Sequence, residues 1–178
     1  MSSLHHPAIA SGLLLATMAS PAQAAVIKSA PDGFVSESSA VIGVKPARMW
    51  RALTNWSNWW DKAHSYSGKA EAIHLDPRGG GLLLERWDKN SVKHAVVLSA
   101  VAPSSLRMSG GFGPLQALPV NAILEFSLRG EGSDTRLTMT YRVAGTAANN
   151  LDTLAVPEDN VMSEGFSRLL NYAATGKP

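Results

Sequence analysis

Cysteine is missing from this chain of 178 residues. Its absence removes thiol nucleophiles, thiolate metal sites and disulfide frameworks. A domain of this length can bury enough apolar surface to stand without cross-links. Dense positive charge is missing too. The sixteen Lys and Arg residues are scattered from Lys28 to Lys177, and the net charge is only +2. Nucleic acid or an anionic membrane surface would need cations lined up against phosphates, so neither partner is expected. There is no HExxH sequence and no histidine pair at i, i+4, so no metal is expected. No G-x-S-x-G nucleophile elbow occurs. Gly79-Gly80-Gly81 precedes a strand rather than a helix N-terminus, so it reads as a turn and not as a phosphate cradle. No cofactor is implied.

Charge of either sign is absent from residues 1–24. The apolar stretch there, about residues 8–19, is shorter than the roughly 20 residues a membrane span needs. Ala22-Gln23-Ala24 comes next as a small-x-small cleavage site. The segment reads as a secretory signal peptide cut after Ala24, although its start carries no Lys or Arg. The mature chain is then expected to be periplasmic or secreted, with no integral membrane span.

The mature chain reads as one domain. Residues 25–33 look like a lead-in, and residues 34–44 form a first strand. Pro46 suits a first helical turn, and Met49, Trp50 and Leu53 give a short amphipathic helix. A second helical turn is expected over residues 55–62. Six strands then alternate with Gly-, Pro- and Asn-rich turns, over residues 70–76, 82–87, 92–101, 106–109, 120–128 and 136–143. A terminal helix is expected to start with Pro157 in its first turn. Val161, Met162, Phe166, Leu169, Leu170 and Ala173 form its apolar stripe, and Gly176 closes it. The fold class is α+β: a curved antiparallel sheet of seven strands covered by a long C-terminal helix.

The stretch TNWSNWWDKAHSYSG, residues 54–68, gathers three of the five tryptophans within five residues. Trp56 and Trp60, at i and i+4 of a helix, share a face and should anchor it to the sheet. Trp59 should then be nearer a pocket mouth. Together with VIGVKPARMWRAL, LDPRGGGLLLERW, LRMSGGFGPLQ and TRLTMTYRVAG, this stretch resembles the START-like, or SRPBCC, superfamily, which includes polyketide cyclase-like and Bet v 1-like proteins. The resemblance covers roughly residues 34–176 and looks like a secreted bacterial subgroup. It implies a helix-grip fold with a deep, mostly apolar cavity between sheet and helix. It does not name the ligand, since this superfamily hosts many functions.

One polar pair stands out. With Lys89-Asn90 as a hairpin tip, Glu85 faces His94, while Arg86 faces Lys93 and that face should meet solvent. Leu83 and Val96 would point inward beside the pair. Glu85 and His94 suit three roles: a structural pair, ligand recognition, or acid/base catalysis. Tyr141 or Arg107 would polarise a substrate in the catalytic case. His64 and Tyr66 rim the entrance or simply cap and pack. Phe126 and Tyr141 alternate inward, and Met108, Met162 and Phe166 offer adaptable apolar lining. Phe112, in a Gly-rich loop, is a candidate gate.

The favoured reading is an exported monomer that holds a small hydrophobic or amphipathic molecule. A polyketide cyclase or dehydratase-like enzyme is the alternative. A protein-interaction domain with a collapsed cavity is the third.

Overall fold

The computed structural model describes residues 23–178. The expected signal segment lies outside the described residues, except for Gln23 and Ala24. The strands are β1 (Gln23–Ala30), β2 (Gly33–Ile42), β3 (Ile73–Leu75), β4 (Leu82–Trp87), β5 (Asn90–Val101), β6 (Ser105–Ser109), β7 (Asn121–Glu131) and β8 (Asp134–Ala144). The helices are α1 (Pro46–Thr54), after β2, and α2 (Asp152–Thr175), at the end. All eight strands form one antiparallel sheet in the order β1-β2-β8-β7-β6-β5-β4-β3.

The eighth strand corrects the expected seven. The lead-in residues pair with β2 through a bulge between Val26 and Lys28. Their sequence alternates poorly because β1 is an edge strand. Ile27 is exposed there, and pairing to β2 supplies what patterning does not.

Strand β2 explains how α2 docks. Its inward residues are Phe34, Ser36, Ser38, Ala40 and Ile42, every second position. The small ones let α2 lie close against β1 and β2. Helix α2 presents Ala155, Glu158, Met162, Gly165, Phe166, Leu169 and Ala173 to the sheet, at three- and four-residue steps. Both of its ends are tied down. The Leu151 N–H donates to the Pro31 carbonyl at 2.9 Å. Arg48 of α1 donates to the carbonyls of Ala173 and Ala174 at 2.8 and 2.9 Å, and Gly176 closes the helix with a φ of 80°.

The start of α2 differs from expectation. Pro157 lies inside the helix, not in its first turn. Pro157 and Thr153 are both exposed, so water can serve the carbonyl that proline leaves unpaired.

The space between sheet and α2 is packed, not hollow. Trp59, Met108, Phe126, Met162 and Phe166 are each no more than 1% exposed and belong to one continuous core. The deep cavity expected along the helix is therefore filled by these side chains. What stays open is a cleft at the end nearest the start of α2.

Candidate functional site

The cleft is built by four segments. After α1 the chain makes two short 3-10 turns, Trp56–Asn58 and Lys62–His64. The second helical turn expected over residues 55–62 is present in this 3-10 form. In a 3-10 turn, side chains three apart eclipse. Trp56 therefore packs against Trp59, with ring centres 4.4 Å apart and the planes tilted by 49°. This reverses the expected roles of the tryptophans. Trp59 is buried and its indole N–H points to the Leu53 carbonyl at 3.3 Å. Trp60 is the one that lines the cleft. Gly165 of α2 makes room for it: a Cβ there would sit 2.7 Å from the Trp60 ring. Arg168 holds the turn to α2 by donating to the Trp59 carbonyl at 2.8 Å and pairing with Asp61 at 3.0 Å.

The second segment is β5, which contributes His94. Here the hairpin register differs from expectation. The tip is Asp88-Lys89, where Asp88 has a φ of 49°, so Glu85 faces Val92 and Trp87 faces Asn90. A bulge between Leu83 and Leu84 then shifts the pairing, placing Leu83 opposite Ala95. The bulge switches strand parity, so Val97 points inward where Val96 was expected. It also leaves His94 beside Glu85. His94 Nε2 lies 2.9 Å from Glu85 Oε2, and both side chains are buried. Arg86 and Lys93 are exposed.

Glu85 is fully occupied. Besides His94, its carboxylate accepts the backbone N–H groups of Tyr66 and Ser67. Burial works against its charge, but the hydrogen bonds from Ser67, His94 and Tyr66 outweigh it and hold the carboxyl below the usual glutamate range. The pair pins the loop of residues 65–68 to the sheet.

The third segment is the loop after β6. Gly110 lets it approach β5, since a Cβ there would overlap the His94 carbonyl. Phe112 comes next, only 4% exposed. Its ring lies parallel to His94 at 6.0 Å and to Trp56 at 6.3 Å. Tyr141 locks the loop: its hydroxyl accepts from the Phe112 N–H and donates to the Gly110 carbonyl, both at 3.2 Å. Burial, with a smaller contribution from the charge of Glu158, pushes the Tyr141 phenol well above its ordinary pKa. Phe112 is therefore held as a wall of the cleft. Tyr66 bridges the two loops by donating to Gln116 Oε1 at 3.2 Å.

The fourth segment is α2, through Glu158 and Val161. His64 faces the same helix and lies 3.1 Å from Glu164. The cleft holds about 290 Å³, walled by Trp60, Phe112, Pro114 and Val161, with His64, His94 and Glu158 as polar points.

Of the residues singled out from sequence, the structure brings His64, Tyr66, His94 and Phe112 to the cleft, with Glu85 and Tyr141 directly behind them. Trp59, Met108, Phe126, Met162 and Phe166 belong to the core instead. Arg107 lies outside: strand parity turns it away from Leu106 and Met108, and it pairs with Glu125 at 2.8 Å. Trp60 and Glu158 were missed. Glu158 reads as a first-turn acid when Pro157 is taken as the helix start. Only the longer helix puts it on the buried stripe.

Glu158 is 4% exposed and, among the described residues, has no hydrogen-bond partner or cation. Burial pushes its carboxyl up to about 7. The folded state thus holds this proton more tightly than the unfolded chain. Its contribution to stability is full below an ordinary glutamate pKa of 4.5 and is lost as pH rises towards about 7. Glu158→Gln is expected to change stability little near pH 4.5. Above about pH 8 it should be stabilising by up to about 3 kcal/mol. Urea unfolding at both pH values checks this, and equal effects at both would refute it.

An α+β sheet gripping one long helix, with a cleft at the open end, defines a helix-grip protein of the START-like superfamily. The sequence matches the family described as Activator of Hsp90 ATPase homolog 1-like protein over residues 44–172. The match covers well over half of the chain, which belongs to that family. No curated protein matches the sequence at a significant level. Among solved structures, a conserved protein of unknown function from Enterococcus faecalis shares 14% identity over 88% of this chain and 79% of its own, with a TM-score of 0.58. CalU16 from Micromonospora echinospora shares 17% over 89% and 78%, with a TM-score of 0.57. The Aha1 dimer from Colwellia psychrerythraea shares 12% over 80% and 97%, with a TM-score of 0.55. At these identities the likeness shows the fold alone.

Proposed function

We propose that this protein is an exported binding protein that holds a small amphipathic molecule in the cleft between Trp60, Phe112 and α2. The observation that carries this reading is the cleft itself. In an otherwise packed interior it keeps about 290 Å³ open, with aromatic and aliphatic walls and a few polar points. Small-molecule sites have this composition. The cyclase reading is less well supported, because Glu85 does not line the cleft and its carboxylate is already engaged by Tyr66, Ser67 and His94. Export, and with it membership of a secreted subgroup, rests on the charge-free residues 1–24 and the Ala22-Gln23-Ala24 site. Cleavage after Ala24 would leave residues 25–30 paired with β2.

The test is expression of the full-length chain, N-terminal sequencing of the exported form, and native mass spectrometry before and after incubation with cell lipid extract. A chain beginning at Ala25 with a bound mass released on unfolding is the expected result. Val161→Trp fills the cleft from α2 and should abolish the bound mass without unfolding the protein. An apo mass throughout would count against the binding reading, and a chain retained in the cytoplasm would count against export.

A further inference from the structure

The polar groups of the cleft are not equivalent. Two imidazoles face it, and each is already matched to a carboxylate: His94 to Glu85 at 2.9 Å and His64 to Glu164 at 3.1 Å. Glu158 is matched to nothing. It is 4% exposed, forms part of the cleft wall, and accepts no hydrogen bond among the described residues. A buried carboxylate without a partner is costly, and the usual remedy is a cation or a proton.

The elements packed around Glu158 bring other groups to it. From β8, the facing group is the Tyr141 phenol, whose hydrogen bonds go to the 110–112 loop. From β5 it is His94, backed by Glu85. From the turn after α1 come His64 and Tyr66. The loop of residues 110–114 carries no titratable side chain. On α2 itself the adjacent titratable residue is Asp159, and Glu164 is taken by His64. No Lys or Arg among the described residues lines the cleft.

We infer that the cleft takes the cationic nitrogen of an amphipathic amine, with Glu158 as its counter-ion and the rings of Trp60 and Phe112 beside it. This rests on the reading of the cleft as a small-molecule site. Aromatic faces attract a desolvated cation through the ring quadrupole, and Trp60 and Phe112 stand 6.1 Å apart on the same cleft. An anionic amphiphile would meet Glu158 with no Lys or Arg on the cleft wall, and with His64 and His94 each already taken by a carboxylate. A neutral one would leave Glu158 either charged and unpaired or protonated.

The test compares n-octylamine, n-octanol and octanoate by isothermal titration calorimetry on the purified protein. At about pH 8.5 Glu158 is ionised and an alkylamine keeps its charge, much as a lysine does. The amine should bind roughly tenfold or more tightly than the other two, the margin expected for a charge-assisted contact. Its advantage should shrink as pH falls to about 5.5, where Glu158 takes up a proton. Glu158→Gln should remove the amine's advantage over octanol at about pH 8.5.

If octanol or octanoate binds as well as the amine at the higher pH, or if the amine's advantage does not depend on pH, the cation assignment is overturned and the cleft reading stands. The pH series on the native protein decides even if the glutamine variant does not fold. If none of the three probes binds, the cleft reading fails together with this inference.

Discussion

Glu85→Ala is expected to destabilise the protein by about 3–5 kcal/mol, the range for removing one partner from a buried charged pair. Three donors converge on this one carboxylate: the backbone N–H groups of Tyr66 and Ser67, and His94 Nε2 at 2.9 Å. Glu85 is 0% exposed and His94 4%. Alanine would leave all three donors without their acceptor, including the buried His94. A typical domain has only about 5–15 kcal/mol in total, so the variant should sit near the edge of folding. Glu85→Gln should lose less, because its amide oxygen still accepts, but its NH₂ group would face a donor.

The same carboxylate gives a pH signature. Its folded pKa is depressed, so its stabilising contribution is complete above the ordinary value of 4.5 and disappears as pH falls through the lower folded value. Urea unfolding of wild type and Glu85→Ala at neutral pH should differ by the full amount, and the gap should narrow in acid below about pH 4. A neutral-pH difference under about 1 kcal/mol would mean that the loop is held by other contacts.

The meeting of Glu85 with His94 was legible in the sequence, but not for the reason that made it so. Counting inward from a Lys89-Asn90 tip places the two opposite one another. The real tip is one residue earlier, and the bulge at Leu83/Leu84 brings His94 to Glu85 from a diagonal position. Turn residues mark a hairpin well. They do not mark a bulge, because a bulge changes two backbone torsions and no residue type. The strands of the meander and the covering helix were legible for the opposite reason: their periodicity extends over many residues. Edge strand β1 was not, since half of its contacts face solvent and its sequence is under less constraint.

The site was less legible than the fold. His64, Tyr66, His94 and Phe112 share a cleft because four segments far apart in the chain converge. Sequence could propose each residue, but it could not show that Met108, Phe126, Met162 and Phe166 are buried within one continuous core. Side-chain volumes decide whether a sheet and a helix enclose a cavity, and alternation is blind to volume. Glu158 was hidden by Pro157. Reading that proline as a helix start shortens α2 by its first five residues and moves the acid from the buried stripe to the exposed cap.

The tryptophan cluster offers the other large effect. Trp56→Ala is expected to cost about 3–5 kcal/mol, the usual range for deleting a large buried ring. Trp56 is 1% exposed and touches more of the aromatic core than either neighbour. Its ring lies 4.4 Å from Trp59, 5.4 Å from Trp60, 6.3 Å from Phe112 and edge-on to Phe126 at 6.2 Å. Removing it takes the backing from both aromatic walls of the cleft, Trp60 and Phe112. Probe binding should therefore weaken in the same variant, even under conditions where it stays folded. Trp87→Ala is the control. Trp87 is half-buried on β4 beside the hairpin tip and makes no contact with the cluster, so its loss should cost markedly less and spare binding. Urea unfolding gives the stabilities, and the indole N–H resonances report whether Trp59 and Trp60 keep their partners at Leu53 and His64. If Trp56→Ala costs no more than Trp87→Ala, Trp56 is not the keystone of the cluster. The cleft walls would then be held by the loops themselves, through Tyr141 at the 110–112 loop and Arg168 at Trp59.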